Sequence, residues 1–219
     1  MRNIIDLSSA DSILFDLDGT LWDASVAATR AWNMALIEMG YDNYVISQHE
    51  LKDLTGIKIE EILISHYGFM SNENKKTFLK TFKRIEDLEM KRSGGLLYND
   101  VELVLEELKK SKSLFIVSNC LQGYIEIFLK YTKLEKYFDG YESSGNTGKS
   151  KDSNIKKIID EYKLRHPIFV GDTENDHRAC ILNDIPFICA SYGFGKAIDT
   201  EYSIEKFKDL LQLKDVRSV

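Results

Sequence analysis

Ser12-Ile13-Leu14-Phe15-Asp16-Leu17-Asp18-Gly19-Thr20 is the stretch on which the fold turns. An apolar run passes straight into a polar turn, as in a buried strand that stops at a ligand-binding edge. Two later stretches repeat the pattern. Leu114-Phe115-Ile116-Val117 runs into Ser118-Asn119, and Ile168-Phe169-Val170 runs into Gly171-Asp172-Thr173-Glu174-Asn175-Asp176. In a parallel sheet the carboxyl ends of the strands share one edge, and ligands bind there. The polar groups that end these runs are therefore expected to converge, although they are far apart in the chain.

Outward from these strands the pattern divides. Residues 24–92 read as helical throughout, with stripes at Val26, Ala27, Arg30, Ala31, Met34 and Ala35 and at Phe78, Leu79, Phe82 and Ile85. Ser47-Gln48-His49-Glu50 has capping-box spacing, and Ser71 or Asn72 is a plausible start for the second stripe. Ser93-Gly94-Gly95 punctuates the block. Strands and helices then alternate. Strands are expected near 114–118, 138–143, 167–171 and 186–190. Helices are expected from a cap near Asn99 or Asp100, around Ile125 to Leu129 and Ile155 to Tyr162, at 174–183 and around Ile204 to Leu211. Such alternation implies an α/β fold with a parallel sheet covered on both faces. The expected layout is a core of residues 1–23 and 93–219 with a helical insert at 24–92.

Composition narrows the function classes. Lys and Arg number 29 against 35 Asp and Glu, for a formal charge of −6. That balance argues against broad nucleic-acid or anionic-membrane binding. Cys120, Cys180 and Cys189 form no metal-type pair and no disulfide framework, which points to a reducing, cytoplasmic setting. No apolar run approaches the roughly 18 residues of a membrane helix, and residues 1–6 carry no signal-peptide pattern. Gly145-Asn146-Thr147-Gly148-Lys149-Ser150 lacks the full spacing of a nucleotide phosphate loop.

The polar groups suit one chemistry. Asp16 and Asp18 lie two residues apart beyond a strand, so they face one pocket and can divide nucleophilic and acid–base work. The Ser118 hydroxyl and the Asn119 amide can hold a phosphate oxygen, and Lys151 supplies the cation that such a group requires. Asp172 and Asp176 add hard oxygen donors of the kind Mg²⁺ takes. Thr20 is placed with the substrate-binding groups or as a tie for the loop. In the insert, Thr55 and Lys58 flank Gly56 and are candidates to reach a leaving group.

These motifs, in this order, resemble the haloacid dehalogenase superfamily, in particular its Mg²⁺-dependent phosphatases with a helical cap. The resemblance implies a Rossmann-like core and an aspartyl-phosphate mechanism. Asp16 would be the nucleophile and Asp18 the general acid and base. The metal would be held by Asp16, the Asp18 backbone carbonyl and Asp172, with Asp176 binding directly, through water or by orienting the loop. It also implies a lysine just before a helix, which Lys151 fits better than Lys149. The whole pattern is most similar to phosphoglycolate phosphatases acting on a small phosphorylated metabolite, as a monomer or homodimer. A β-phosphoglucomutase-like mutase is the close alternative, weakened by Ala27-Ala28 where those enzymes carry a His. A dehalogenase would lack Asp18. A non-catalytic phosphate- or metal-binding module remains the alternative from another class.

Overall fold

The computed structural model describes residues 7, 9–195, 198 and 200–213 of the chain; residues 1–6, where the absence of a signal-peptide pattern was read, lie outside them. In chain order the elements are β1 (Ser12–Phe15), β2 (Trp22–Asp23), α1 (Ser25–Glu38), α2 (Gln48–Leu54), α3 (Ile59–Ser65), α4 (Asn72–Ser93) and β3 (Leu96–Leu97). There follow α5 (Val101–Lys109), β4 (Ser113–Ser118), α6 (Tyr124–Thr132), β5 (Gly140–Ser143), α7 (Ser144–Thr147), α8 (Lys151–Tyr162), β6 (Pro167–Gly171), α9 (Glu174–Asn183), β7 (Phe187–Ala190) and β8 (Ser203–Ile204). Six strands form one parallel sheet in the order β5-β4-β1-β6-β7-β8.

The sheet is apolar on both faces, as a parallel sheet between helix layers must be. Along β1, Ile13 and Phe15 join one core cluster and Leu14 the other. The same alternation separates Leu114 and Ile116 from Phe115 and Val117, and Ile168 and Val170 from Phe169. Helices α5 and α6 cover the first face, while α8 and α9 cover the second. Strand β1 is the switch point: the chain builds outward to β4 and β5 on one side, then returns to β6 and β7 on the other. A crevice opens at the carboxyl edge of such a point.

Between β2 and β3 the chain is helical and packs a cluster of its own around Trp32, Tyr67, Phe78 and Phe82. The Trp32 ring centroid lies 5.0 Å from that of Phe78 and 5.1 Å from that of Phe82, and the Trp32 Nε1 donates to the Tyr67 hydroxyl at 2.9 Å. The caps are those the sequence signals. Ser47 and Glu50 form a capping box on α2, and the Ser71 hydroxyl accepts from the Asn74 amide at the start of α4. Where the chain leaves and re-enters the core, β2 and β3 pair as an antiparallel ribbon, Trp22 opposite Leu97.

Three features differ from the sequence pattern. The ribbon has two residues per strand, too few to show a period. Asp100 occupies the N-cap of α5 but in the left-handed region, at φ 65°, and its side chain makes no capping bond. The expected last helix is instead strand β8 followed by a 3-10 turn at Phe207–Gln212, in which Phe207 and Leu210 are buried. Residues three apart share a face in a 3-10 turn, so that spacing imitated an α-helix. Among the described residues no helix is long and apolar enough to cross a membrane.

Phe78 is fully buried within the aromatic cluster of the helical block. Phe78→Ala is expected to destabilise the protein by about 3–5 kcal/mol, read as a shift in the urea unfolding midpoint.

Candidate active site

Three loops at the carboxyl edge deliver the charged side chains. The turn after β1 carries Asp16 and Asp18, the turn after β6 carries Asp172, and α8 begins at Lys151. Oxygens of Asp16, Asp172 and Asp176 all lie within 4.8 Å of one another, and all three residues are buried. Gly19, at φ +84°, makes the approach possible, because a methyl there would run into the Asp172 carboxylate.

Lys151 sits inside this cluster, only 3% exposed. Its Nζ donates to Asp16 Oδ1 at 2.7 Å and to Asp176 Oδ1 at 2.5 Å. The other Asp176 oxygen accepts from the Thr173 amide at 2.9 Å and the Thr173 hydroxyl at 2.6 Å, completing a capping box on α9. Asp176 thus fixes Lys151 and the first turn of α9 together. The Asp172 Oδ2 accepts from the amides of Phe194 at 2.7 Å and Gly195 at 3.2 Å. Thr20, expected among the groups that touch substrate, is fully buried and aims its hydroxyl at Asp172 Oδ1, 3.4 Å away. It ties the loop and does not line the cavity.

The electrostatics follow from three carboxyls sharing one ammonium. Burial pushes Asp16 up to about 6; Lys151 opposes the rise and Asp176 adds to it. Asp172 is pushed up by burial and by the charges of Asp16 and Asp176. Burial alone would lower the Lys151 pKa, but Asp16 and Asp176 hold it above the ordinary lysine value. The excess negative charge and the hard oxygen donors fit a divalent cation such as Mg²⁺. Asp18 turns away from the trio. Its Oδ1 accepts from Trp22 Nε1 and from the Tyr124 hydroxyl, each at 2.9 Å. Its carboxylate is not among the three that gather within 4.8 Å; the metal role expected of it is through the backbone carbonyl. Burial, reinforced by Asp16, pushes its carboxyl up to about 7.

Two strand-end carboxyls thus meet beside a buried lysine. Residues 13–190 match the family model described as haloacid dehalogenase-like hydrolase. The chain belongs to the haloacid dehalogenase-like hydrolase family. It is 26% identical to a phosphoglycolate phosphatase of Aliivibrio fischeri, over 83% of this chain and 84% of that one. It is also 26% identical to a 5′-nucleotidase of Pseudomonas aeruginosa, over 84% of each. A haloacid dehalogenase-like family hydrolase from Streptococcus pneumoniae shares the fold with a TM-score of 0.83 at 21% identity, over 94% of this chain and 98% of that one.

In this member of the family a cavity of about 120 Å³ lies between the helical block and the carboxyl edge. Asp16, Asp18, Ser118 and Asn119 line its core side. The Ser118 hydroxyl accepts from the Cys120 amide at 3.3 Å. The Asn119 side chain bridges the two parts: its Nδ2 donates to the Gly56 carbonyl at 2.8 Å, and its Oδ1 accepts from the Ser144 hydroxyl at 2.6 Å. Asn175 donates to the same Gly56 carbonyl at 3.1 Å. Two core amides thus hold the loop between α2 and α3 over the site. Thr55 lines the cavity, with its hydroxyl donating to the Leu51 carbonyl at 3.1 Å. Lys58 does not. It is the N-cap of α3, where the chain turns away, and it borders a separate groove beside Glu60 and Ser144, so the structure does not bring it into the cavity with Thr55.

The sequence reading missed Glu86, Tyr124 and Phe194, all on the cavity wall. Glu86 left a signal: it falls at i+8 from Phe78 and i+4 from Phe82, on a line that the helical stripe makes apolar. Tyr124 and Phe194 left none, since nothing local distinguishes them from packing aromatics.

Burial pushes the Glu86 carboxyl up to about 8, aided by the charges of Asp18 and Asp87 and opposed by Lys83. Cys120 and Tyr124 also face it from the core. The folded state therefore keeps this proton while the unfolded chain loses it near the ordinary value of 4.5, so stability falls as pH rises between them. Glu86→Gln has no such proton to lose. Its thermal stability is expected to gain on the wild type progressively from about pH 5 to pH 8 and to level off above.

Proposed function

We propose that this protein is a Mg²⁺-dependent phosphatase that hydrolyses a small phosphate monoester through a phosphoryl group carried on Asp16. The observation that carries this function is the meeting of Asp16 and Asp172 from separate strands, their oxygens within 4.8 Å, with Lys151 bonded to Asp16. In the first step an Asp16 oxygen attacks phosphorus, and the bond to the leaving oxygen breaks. Asp18, whose carboxyl burial pushes up to about 7, gives its proton to that oxygen and releases an alcohol. In the second step water attacks phosphorus, Asp18 takes back a proton, and Asp16 is freed with release of phosphate. Lys151, the Ser118 hydroxyl and the Asn119 backbone amide counter the charge on the phosphoryl oxygens.

Asp16 and Asp172 are the side chains that would hold the metal, with Asp176 behind them. A cation there supplies charge neutralisation that lets an anionic nucleophile approach a dianionic ester. The relatives support the class of bond broken: one is named a phosphoglycolate phosphatase and the other a 5′-nucleotidase, which differ in the leaving group and share the phosphate ester. The helical block serves as the cap over the site. Three unpaired thiols fit action in the cytoplasm.

Asp16→Asn is expected to lower turnover of aryl and alkyl phosphates by about 10³-fold or more, with an unchanged circular dichroism spectrum. Full activity in that variant would exclude the mechanism. EDTA is expected to abolish turnover and added Mg²⁺ to restore it; undiminished rates in EDTA would exclude the metal.

A further inference from the structure

Glu86 enters the cavity from α4, on the wall formed by the helical block. It is 7% exposed, and among the described residues its Oε2 has no hydrogen-bond partner. Leaving a buried carboxyl oxygen unmatched is unfavourable. In a ligand cavity, such an atom marks a position where a ligand donor belongs.

The surroundings say what kind of donor. Among the described residues no lysine, arginine or histidine lines this cavity, whereas Asp16, Asp18 and Glu86 all do. Two ammonium groups close by are already paired. Lys83 bonds to Asp87. Lys52 bonds to Asp23 at 2.8 Å, with its Nζ 4.7 Å from the centre of the Phe194 ring. The remaining wall is largely apolar, with Leu51, Ile59 and Ile62 beside the aromatic residues Trp32, Phe82, Tyr124 and Phe194, a residue type that tolerates a nearby cation. A carboxylate-bearing leaving group would meet Glu86 and Asp18, with no cation among the described lining residues to receive it. The size sets a further limit: about 120 Å³ is well below the roughly 300–1,000 Å³ of pockets for drug-sized ligands.

We infer that the leaving group is a short aminoalkyl alcohol whose ammonium pairs with Glu86, which makes Glu86 the residue that selects the substrate. This inference rests on the phosphatase function proposed above and names its substrate class. An ammonium is favoured over a hydroxyl because it brings a charge-assisted donor to the unmatched Glu86 oxygen.

The test compares kcat/KM, with Mg²⁺, for four esters of near-equal size: O-phosphoethanolamine, ethyl phosphate, 2-hydroxyethyl phosphate and 2-phosphoglycolate. The aminoethyl ester is expected to exceed the ethyl and hydroxyethyl esters by about tenfold or more, and 2-phosphoglycolate by more still. Glu86→Gln, which keeps the shape, is expected to lower the aminoethyl-to-ethyl ratio by about tenfold. Glu86→Lys is expected to shift preference toward 2-phosphoglycolate. Equal rates on the aminoethyl and hydroxyethyl esters, a wild-type preference for 2-phosphoglycolate, or a ratio unmoved in Glu86→Gln would overturn the inference while leaving a phosphatase. Turnover of none of the four would overturn the phosphatase function itself.

Discussion

The buried ammonium of Lys151 is the interaction on which the site depends. It bonds Asp16 at the end of β1 and Asp176 in the first turn of α9, and so ties together two loops that are 160 residues apart in the chain. Removing a cation from water is unfavourable by several kcal/mol unless the new partners replace its hydration. Here two carboxylates do so, and Asp176 is itself held by Thr173 through the capping box of α9. The arrangement is rigid because each member is anchored to a strand or helix terminus and not to a free loop. It is also incomplete as charge: three carboxyls share one ammonium, and the raised pKa values of Asp16 and Asp172 express that imbalance. A divalent cation is the natural remedy.

The two aspartates after β1 show how neighbours in sequence acquire different chemistry. Asp16 faces Lys151 and the other carboxyls, while Asp18 faces the indole of Trp22 and the phenol of Tyr124. Asp18 receives two hydrogen bonds but no cation, so burial dominates and its carboxyl holds a proton close to neutrality. In the proposed reaction this separation assigns the roles. The group beside the ammonium is the anion that attacks, and the group among the aromatics is the acid that protonates. Pairs of carboxyls pushed apart by environment divide acid and nucleophile work in this way in general.

Much of this was legible in the sequence because it is encoded locally. Buried parallel strands are short apolar runs, and β4 and β6 fall where those runs do. Strand ends supply Asp16, Ser118 and Asp172 at one edge as a matter of sheet geometry. What escaped was encoded by distance in the fold and not by spacing. The β2–β3 ribbon and β8 have two residues per strand, below any period. Thr20 and Lys58 were assigned to substrate by nearness to a motif, yet one points inward at Asp172 and the other starts a helix that leaves the cavity. Tyr124 reaches Asp18 across 106 residues, and no local pattern carries that information.

The division of labour between the two parts of the molecule follows from the same contrast. Every charged group that the proposed chemistry uses stands on the rigid sheet edge, where 1 Å of displacement would matter most. The helical block lines the cavity from the other side with Glu86, Phe82 and Trp32, and it is joined to the core through the β2–β3 ribbon and the two amides on the Gly56 carbonyl. Substitution along α4 can therefore change which alcohol is accepted without disturbing the trio. Glu86 is where that freedom is visible. A polar residue interrupts an apolar line on a helix whose Phe78, Phe82 and Ile85 build the aromatic cluster. Packing alone would favour a phenylalanine or leucine there, since an unpartnered carboxyl weakens the fold. A residue that the core has reason to reject, held at the mouth of a reactive site, is explained by what it meets when substrate arrives.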